Sequence, residues 1–206
     1  RDRSPSRGLG DVYKRQALGH PIVIDPVGVS GSSYRREKCL ELMKIIHPTC
    51  IRGNYSEIQA LLHNCGTVTG VDAAEDALAE AEETDLPELM KQYAKENQMI
   101  LVASGEADLI TDGSCVYRCH NGSPMMARIT GSGCMSTVML GAFLSAENSV
   151  ESAVACCAFT GIAGELAAKE MTAQKRGTMT FRNWFIDAVS LMTPEQLEHG
   201  TDVDWF

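Results

Sequence analysis

The chain has 206 residues, of which 44% are hydrophobic and 22% are charged, and its net charge at neutral pH is −9. These values are typical of a single water-soluble domain, and no apolar run approaches the roughly 20 residues of a membrane-spanning helix. Because nucleic-acid binding depends on basic surface, an acidic chain favours a metabolic enzyme, and we expect neither a nucleic-acid nor a membrane partner.

The eight cysteines are spread along the chain without a C-x-x-C pair or a regular spacing to histidine. This arrangement disfavours a structural zinc site. We expect a cytoplasmic protein whose cysteines are mostly reduced, with Cys156 and Cys157 buried in a helix of small residues.

The first sixteen residues show no apolar periodicity and end in a polar run. They resemble translated vector or library-adaptor sequence, and the alternative is a native disordered tail. We therefore predict an unrelated leader over residues 1–16 and a folded domain over residues 17–206.

From residue 18 onward, short apolar runs alternate with helical patterns. Buried strands are predicted over residues 21–24, 49–51 and 99–103. Amphipathic spacing predicts helices over residues 34–46, 56–62 and 74–94, the last interrupted near Pro87. Strands that alternate with helices indicate an α/β fold with a largely parallel sheet.

The second half of the chain begins with a hairpin pattern. Residues 109–119 are typical of two strands around an Asp-Gly turn, and their mixed composition suits the antiparallel edge of a sheet. From residue 136 the chain is predicted to be mainly helical, with helices over residues 152–171 and 181–192.

A glycine-rich turn, Thr130-Gly131-Ser132-Gly133-Cys134, precedes an apolar run and is predicted to open a buried helix. Backbone N–H groups in a first helical turn have no intrahelical partner, so the turn suits a phosphate or a developing oxyanion. Cys134 is then a candidate base or nucleophile. The alternative is a tight loop under a core helix, with Cys134 an inert small side chain.

Polar residues follow three of the predicted strands, where ligands bind in open α/β sheets. The loops contain Asp25, Arg52 followed by Glu57, and Ser104. Phosphoryl transfer needs carboxylates to hold hydrated Mg²⁺, together with a cation and backbone dipoles to neutralise phosphates. The chain lacks the P-loop and dinucleotide-binding glycine motifs, so a different nucleotide-binding architecture is expected.

The ordered series of motifs resembles the hydroxyethylthiazole kinase family, the thiamine-salvage branch of the ribokinase-like superfamily. The motifs are residues 24–28, 51–54 with Glu57, 70–72, 104–106 with Asp108, 120–122 and 130–134. The resemblance implies a three-layer, Rossmann-like sheet with helices on both faces. It also implies ATP-dependent phosphorylation of the hydroxyl group of hydroxyethylthiazole, with Mg²⁺, in a homotrimer.

The resemblance also assigns roles to residues of the strand-end loops. Arg52 and Ser104 occupy ATP-contacting positions, and Ser104 stands where the family often has threonine. Asp25 and Glu57 would support Mg²⁺.

In the glycine-rich turn, the resemblance implies that Gly131, Ser132 and Gly133 form an anion hole and that Gly131 also contacts the substrate. Cys134 stands where most ribokinase-like sugar kinases place an aspartate base, which points to the thiazole kinase branch. Because phosphoryl transfer depends on positioning and charge neutralisation more than on a strong base, a weak base suffices.

One region departs from the family, because nothing here matches its segment before the Asp-Pro-Val-Gly loop. We therefore expect the first strands of the fold to be missing. Two alternatives are another ribokinase-like small-molecule kinase, against which Cys134 argues, and a non-catalytic nucleotide-binding protein. A third is a cysteine hydrolase, for which no histidine is placed by a motif.

Overall fold

The computed structural model describes residue 14, residues 17–62 and residues 86–206. The rest of the predicted leader, the motif at residues 70–72 and the first half of the helix predicted over residues 74–94 lie outside the described residues.

The fold is built on a six-stranded sheet whose strands follow one another in space as they do in sequence. The strands are β1 (Val23–Ile24), β2 (Cys50–Asn54), β3 (Ile100–Ser104), β4 (Asp108–Thr111), β5 (Val116–Cys119) and β6 (Val203–Trp205). The first three are parallel, whereas β4, β5 and β6 each run antiparallel to the strand before them. The sheet is therefore mixed, and the expectation of a largely parallel sheet is wrong.

Two features, a hairpin and an added edge strand, account for this difference. Gly113 adopts a φ of +96°, which a tight turn between β4 and β5 requires, so the predicted hairpin is confirmed. The hairpin is not at the edge of the sheet, because β6 pairs with β5 and covers it. Strand β6 has only three residues, too few to show an alternating pattern in the sequence.

The helices pack against both faces of the sheet. They are α1 (Ser33–Ile46), α2 (Tyr55–Leu62), α3 (Leu86–Asn97), α4 (Ser132–Ala146), α5 (Val150–Ala173), α6 (Thr178–Leu191) and α7 (Pro194–Gly200), with a 3₁₀ helix at Pro124–Arg128. The two short helices that were not predicted, α7 and the 3₁₀ helix, begin with proline and are too brief to show a helical period.

Alternating residues of the central strands separate two cores. Ile51 and Leu101 pack in a cluster with residues of α1, α2 and α3, whereas Cys50, Ile100 and Val102 pack against α4 and α5. This alternation places helices on both faces of the sheet, so the predicted three-layer arrangement is confirmed.

Helix α5 is apolar over most of its 24 residues. Contrary to expectation, it is long and apolar enough to span a membrane by length and composition, with a mean hydropathy of 1.3 in its most apolar window. However, 61% of that window is buried inside the protein, as in the core helix of a globular domain. Cys156 and Cys157 lie in this buried surface, as predicted.

Candidate active site

A cavity of about 1060 Å³ lies at the carboxyl ends of β2 and β3. Its wall includes residues from both strand ends, from the loop after β5, from the first half of α4 and from the middle of α5. The register of the sheet pairs Asn54 with Ser104, so the two strands end at the same edge. The cavity therefore occupies the position at which open α/β sheets bind ligands.

Four of the residues predicted for the site line this cavity, namely Arg52, Ser104, Ser132 and Gly133. The other four lie outside its wall: Asp25, Glu57, Gly131 and Cys134. Gly131 and Cys134 flank the two lining residues of the turn.

The predicted turn opens α4. Gly131 is the N-cap residue at a φ of +94°, and no side chain caps the helix. The first intrahelical bond runs from the Met135 N–H to the Gly131 carbonyl at 2.9 Å. The N–H groups of Ser132, Gly133 and Cys134 therefore have no intrahelical acceptor. The helix begins at Ser132, four residues before residue 136, from which the chain was predicted to be mainly helical. Cys134 therefore belongs to the first turn of α4, and it is exposed.

Arg52 places a cation beside this turn. Its side chain is only 9% exposed, and Nη1 donates hydrogen bonds to the Gly133 carbonyl at 3.3 Å and to Thr137 Oγ1 at 3.4 Å. Nε and Nη2 donate to no other described residue, so the planar guanidinium keeps donors for an anionic ligand.

Glu57 has both carboxylate oxygens engaged. Oε2 accepts the Asn54 N–H at 3.0 Å while Asn54 Oδ1 accepts the Glu57 N–H at 2.9 Å, which forms a capping box at the start of α2. Oε1 accepts the Gly28 N–H at 2.8 Å. The side chain therefore ties the loop after β1 to the end of β2.

Asp25 lies in the loop that Glu57 holds. Asp25 Oδ2 accepts a hydrogen bond from Thr137 Oγ1 at 2.8 Å, and Oδ1 accepts none from the described residues. At Gly53, a Cβ atom would lie 3.2 Å from the Pro26 ring and 3.3 Å from Glu57 Oε2. The absence of a side chain there lets the Asp25–Pro26 segment and Glu57 approach each other.

Asp25 and Glu57 are the carboxylates predicted to support Mg²⁺. In residues 17–62 and 86–206, no three His, Cys, Asp or Glu side chains converge to form a metal site. Mg²⁺ usually binds through one or two carboxylates together with water and substrate phosphates, and the free Asp25 Oδ1 fits that pattern. Glu57, whose oxygens already accept two N–H groups, fits as a residue that holds the loop carrying Asp25.

Ser104 and Asp108 shape the end of β3. Ser104 Oγ donates to the Gly53 carbonyl at 3.2 Å, and Asp108 Oδ1 accepts the Gly105 N–H at 3.2 Å. Burial raises the pKa of the Asp108 carboxyl above its ordinary value, against the opposing effects of the Arg52 charge and the Gly105 N–H. Asp108 thus places an acidic group in the wall of the cavity.

Asn121 anchors the loop after β5, for which the sequence indicated a motif but no role. Its Nδ2 donates to Glu165 Oε1 at 3.1 Å and to the Gly200 carbonyl at 2.8 Å, and its Oδ1 accepts the Asp202 N–H at 2.8 Å. Gly161 allows this approach, because a Cβ there would lie 2.5 Å from the Asn121 backbone.

Two residues of these networks were missed in the sequence. Thr137 lies four residues after Gly133, so helical spacing from the turn offered a signal for it. Glu165 lies within an apolar helix and is joined to Asn121 only by the tertiary fold, and no motif marks it.

Comparisons with known proteins identify the family of the chain. The model of the hydroxyethylthiazole kinase family matches residues 10–195, beginning ahead of the boundary predicted at residue 17. Hydroxyethylthiazole kinase 1 of Methanosphaera stadtmanae is 38% identical over 177 residues, which are 82% of this chain and 62% of the relative. The hydroxyethylthiazole kinase of Clostridium acetobutylicum is 35% identical over 88% of this chain and 67% of its own length.

A solved structure is also similar. The hydroxyethylthiazole kinase protein of Pyrococcus horikoshii has a TM-score of 0.77 and 26% sequence identity, over 96% of this chain and 70% of that one. The present chain therefore spans about two thirds of the length of the curated relatives it matches.

Proposed function

Because the chain belongs to the hydroxyethylthiazole kinase family, we propose that it phosphorylates the hydroxyl group of hydroxyethylthiazole with ATP, in thiamine biosynthesis or salvage. The observation that carries the proposal is the uncapped start of α4, beside the nearly buried Arg52, at the wall of the strand-end cavity. A donor-rich turn next to a fixed cation suits the charge of a transferring phosphoryl group.

In this mechanism, Arg52 and Ser104 hold ATP in the cavity, and Gly131 contacts the thiazole substrate. The N–H groups of Ser132, Gly133 and Cys134 receive negative charge on the phosphoryl oxygens as it develops. These groups are fixed by the helix, so they need no rearrangement during the transfer.

Cys134 acts as a weak base toward the substrate hydroxyl. It lies in the first turn of α4, one residue from the cavity wall, and its exposure leaves it accessible to a small alcohol. Asp25 would hold Mg²⁺ and Glu57 would fix the loop that carries Asp25. When bound, Mg²⁺ supplies charge neutralisation to the phosphates.

The direct test incubates the chain with ATP, Mg²⁺ and hydroxyethylthiazole and measures ADP and the phosphorylated thiazole by mass spectrometry. Hydroxymethylpyrimidine is the comparison substrate, because phosphorylation of the pyrimidine alone would assign a different ribokinase-like kinase. ATP binding without any product would support the non-catalytic alternative.

Two substitutions at Gly133 test the anion hole. Gly133→Asp adds a carboxylate to the turn and is expected to lower kcat by about 100-fold or more, as loss of an oxyanion donor does. Gly133→Ala is the control, since its Cβ would lie 3.7 Å from Arg52 Nη1, an ordinary contact. Equal activity of the two variants would contradict the anion hole.

Substitutions at Cys134 test the base. We expect Cys134→Asp to retain or increase turnover, because an aspartate is deprotonated at neutral pH whereas a free cysteine is mostly a protonated thiol. Cys134→Ala should lower turnover. An inactive Cys134→Asp variant that still binds ATP would contradict this role. The homotrimer and the cytoplasmic location implied by the resemblance stay predictions, which light scattering and cell fractionation test.

A further inference from the structure

Thr137 connects three parts of the site that are far apart in the sequence. It lies in the second turn of α4, and its Oγ1 is 2.8 Å from Asp25 Oδ2, 3.0 Å from the Gly133 carbonyl and 3.4 Å from Arg52 Nη1. These contacts join the loop after β1, the end of β2 and the glycine-rich turn. No other side-chain hydroxyl among the described residues bonds to both Arg52 and Asp25.

The chemistry of a hydroxyl group sets the direction of these bonds. Thr137 has one proton, and the Asp25 carboxylate is both the nearer acceptor and the stronger one, because it carries charge. Arg52 Nη1 donates to the same hydroxyl oxygen, which polarises the O–H bond toward Asp25. The Gly133 carbonyl is the weaker, local alternative for the proton.

The hydroxyl separates two opposite charges. Within the described part of the chain, Arg52 and Asp25 form no direct ion pair. In a direct ion pair, the Arg52 guanidinium and the Asp25 carboxylate would bind each other and would be less available to a ligand. With Thr137 between them, Asp25 Oδ1 and the Nη2 and Nε groups of Arg52 keep their bonding capacity.

We infer that Thr137 is a positioning residue whose hydroxyl fixes the carboxylate of Asp25 and the guanidinium of Arg52 relative to each other, so that both face a metal-bound nucleotide. This inference rests on the proposed function for the identity of the ligand. It adds a residue that touches neither the nucleotide nor the phosphoryl group and acts through Asp25 and Arg52.

The test compares Thr137→Val, which keeps the shape of the side chain but removes the hydroxyl, with Thr137→Ser, which keeps the hydroxyl. Ser145→Ala is the matched control, because Ser145 lies on the same helix and its hydroxyl donates only to the Gly141 carbonyl. Isothermal titration measures the affinity for the β,γ-imido analogue of ATP with Mg²⁺ and with a chelator. Chemical unfolding of each variant measures stability.

We expect Thr137→Val to weaken binding of the Mg²⁺-loaded analogue by about 10- to 100-fold, the loss typical of a hydrogen bond to a charged group. Thr137→Ser and Ser145→Ala should bind as the unsubstituted chain does. Because the effect passes through Asp25, Thr137→Val should lose less affinity in chelator than in Mg²⁺. Unchanged binding by Thr137→Val overturns the inference, and so does a loss of equal size in Thr137→Ser, which would assign the effect to packing of the methyl group.

A different result separates this inference from the proposed function. If the unsubstituted chain binds no nucleotide, the proposed function fails, and a double-mutant cycle on unfolding then decides the role of Thr137. The cycle combines Thr137→Val with Asp25→Ala, because each substitution removes one partner of the hydrogen bond. If the stability lost in the double variant differs from the sum of the two single losses, the coupling through the hydroxyl is supported, whereas strictly additive losses overturn it.

Discussion

Removal of the Glu57 carboxylate is expected to destabilise the whole strand-end region. Glu57 is 9% exposed, and its two oxygens accept the N–H groups of Gly28 at 2.8 Å and Asn54 at 3.0 Å. The first is a hydrogen bond to a charged group, worth about 2 kcal/mol, and the second is half of a capping box, worth about 1 kcal/mol. Glu57→Ala should therefore lower the free energy of unfolding by about 3 kcal/mol, or about 6–12 °C in Tm.

The assay is thermal and urea unfolding followed by circular dichroism, in a chelator so that no metal contributes. Glu57→Gln should lose about half as much, since its amide has one acceptor oxygen for two N–H groups. Glu88→Ala is the control, because Glu88 is an exposed acidic residue in the first turn of α3 and contributes only its charge, about 0.5 kcal/mol. If Glu57→Ala is no more destabilising than Glu88→Ala, the hydrogen bonds by which Glu57 joins the loop after β1 to the end of β2 do not stabilise the fold.

Two further predictions concern the wall of the cavity. Because the pKa of Asp108 is raised in the folded protein, its stabilising contribution is present below its ordinary pKa of 3.8 and lost as pH rises through the folded value. Asp108→Asn, which keeps an acceptor for the Gly105 N–H, should raise Tm at pH 7 and leave it nearly unchanged near pH 3.5; a lower Tm at pH 7 would refute this. Gly161→Ala should lower the free energy of unfolding by about 1–3 kcal/mol, because the Cβ would meet the Asn121 backbone at 2.5 Å. Gly141→Ala is the control: its nearest contact would be at 4.0 Å, so it should raise the free energy of unfolding by up to about 1 kcal/mol in the same assay.

The predicted elements were correct where the sequence carries a strong local pattern. The buried strand around Leu101 and the turn at Gly131 follow from apolar runs and from a glycine placed where φ is positive. Strand β6 was missed because its three residues gain their conformation from pairing with β5, a contact between distant parts of the chain. The β4–β5 hairpin, by contrast, was predicted because its turn at Gly113 is local.

The site was only partly predictable for a related reason. Arg52 and the glycine-rich turn were paired through a family motif, and the structure joins them by a hydrogen bond across 81 residues. Asp25 and Glu57 were predicted to support Mg²⁺ because both are carboxylates. Their residue type does not reveal that the oxygens of Glu57 accept two backbone N–H groups, whereas Asp25 keeps one oxygen without a hydrogen bond from the described residues. Such differences depend on which donors the fold brings near each oxygen.

The start of α4 shows a physical compromise between stability and binding. Helices α1, α5 and α7 begin with a side-chain cap, each worth about 1 kcal/mol, whereas α4 begins at Gly131 without one. The Ser132 hydroxyl turns away and donates to the Met126 carbonyl at 2.8 Å.

The lack of a cap does not by itself mark a site, because α6 also begins at an uncapped glycine, Gly177, away from the cavity wall. At α4, by contrast, the unpaired N–H groups lie beside a nearly buried guanidinium that Thr137 connects to Asp25. A bound phosphate would supply the acceptors that a capping side chain supplies elsewhere, and it would at the same time neutralise Arg52. The stability that the fold forgoes at this turn is therefore recovered when the proposed ligand binds, which couples the order of the site to its occupancy.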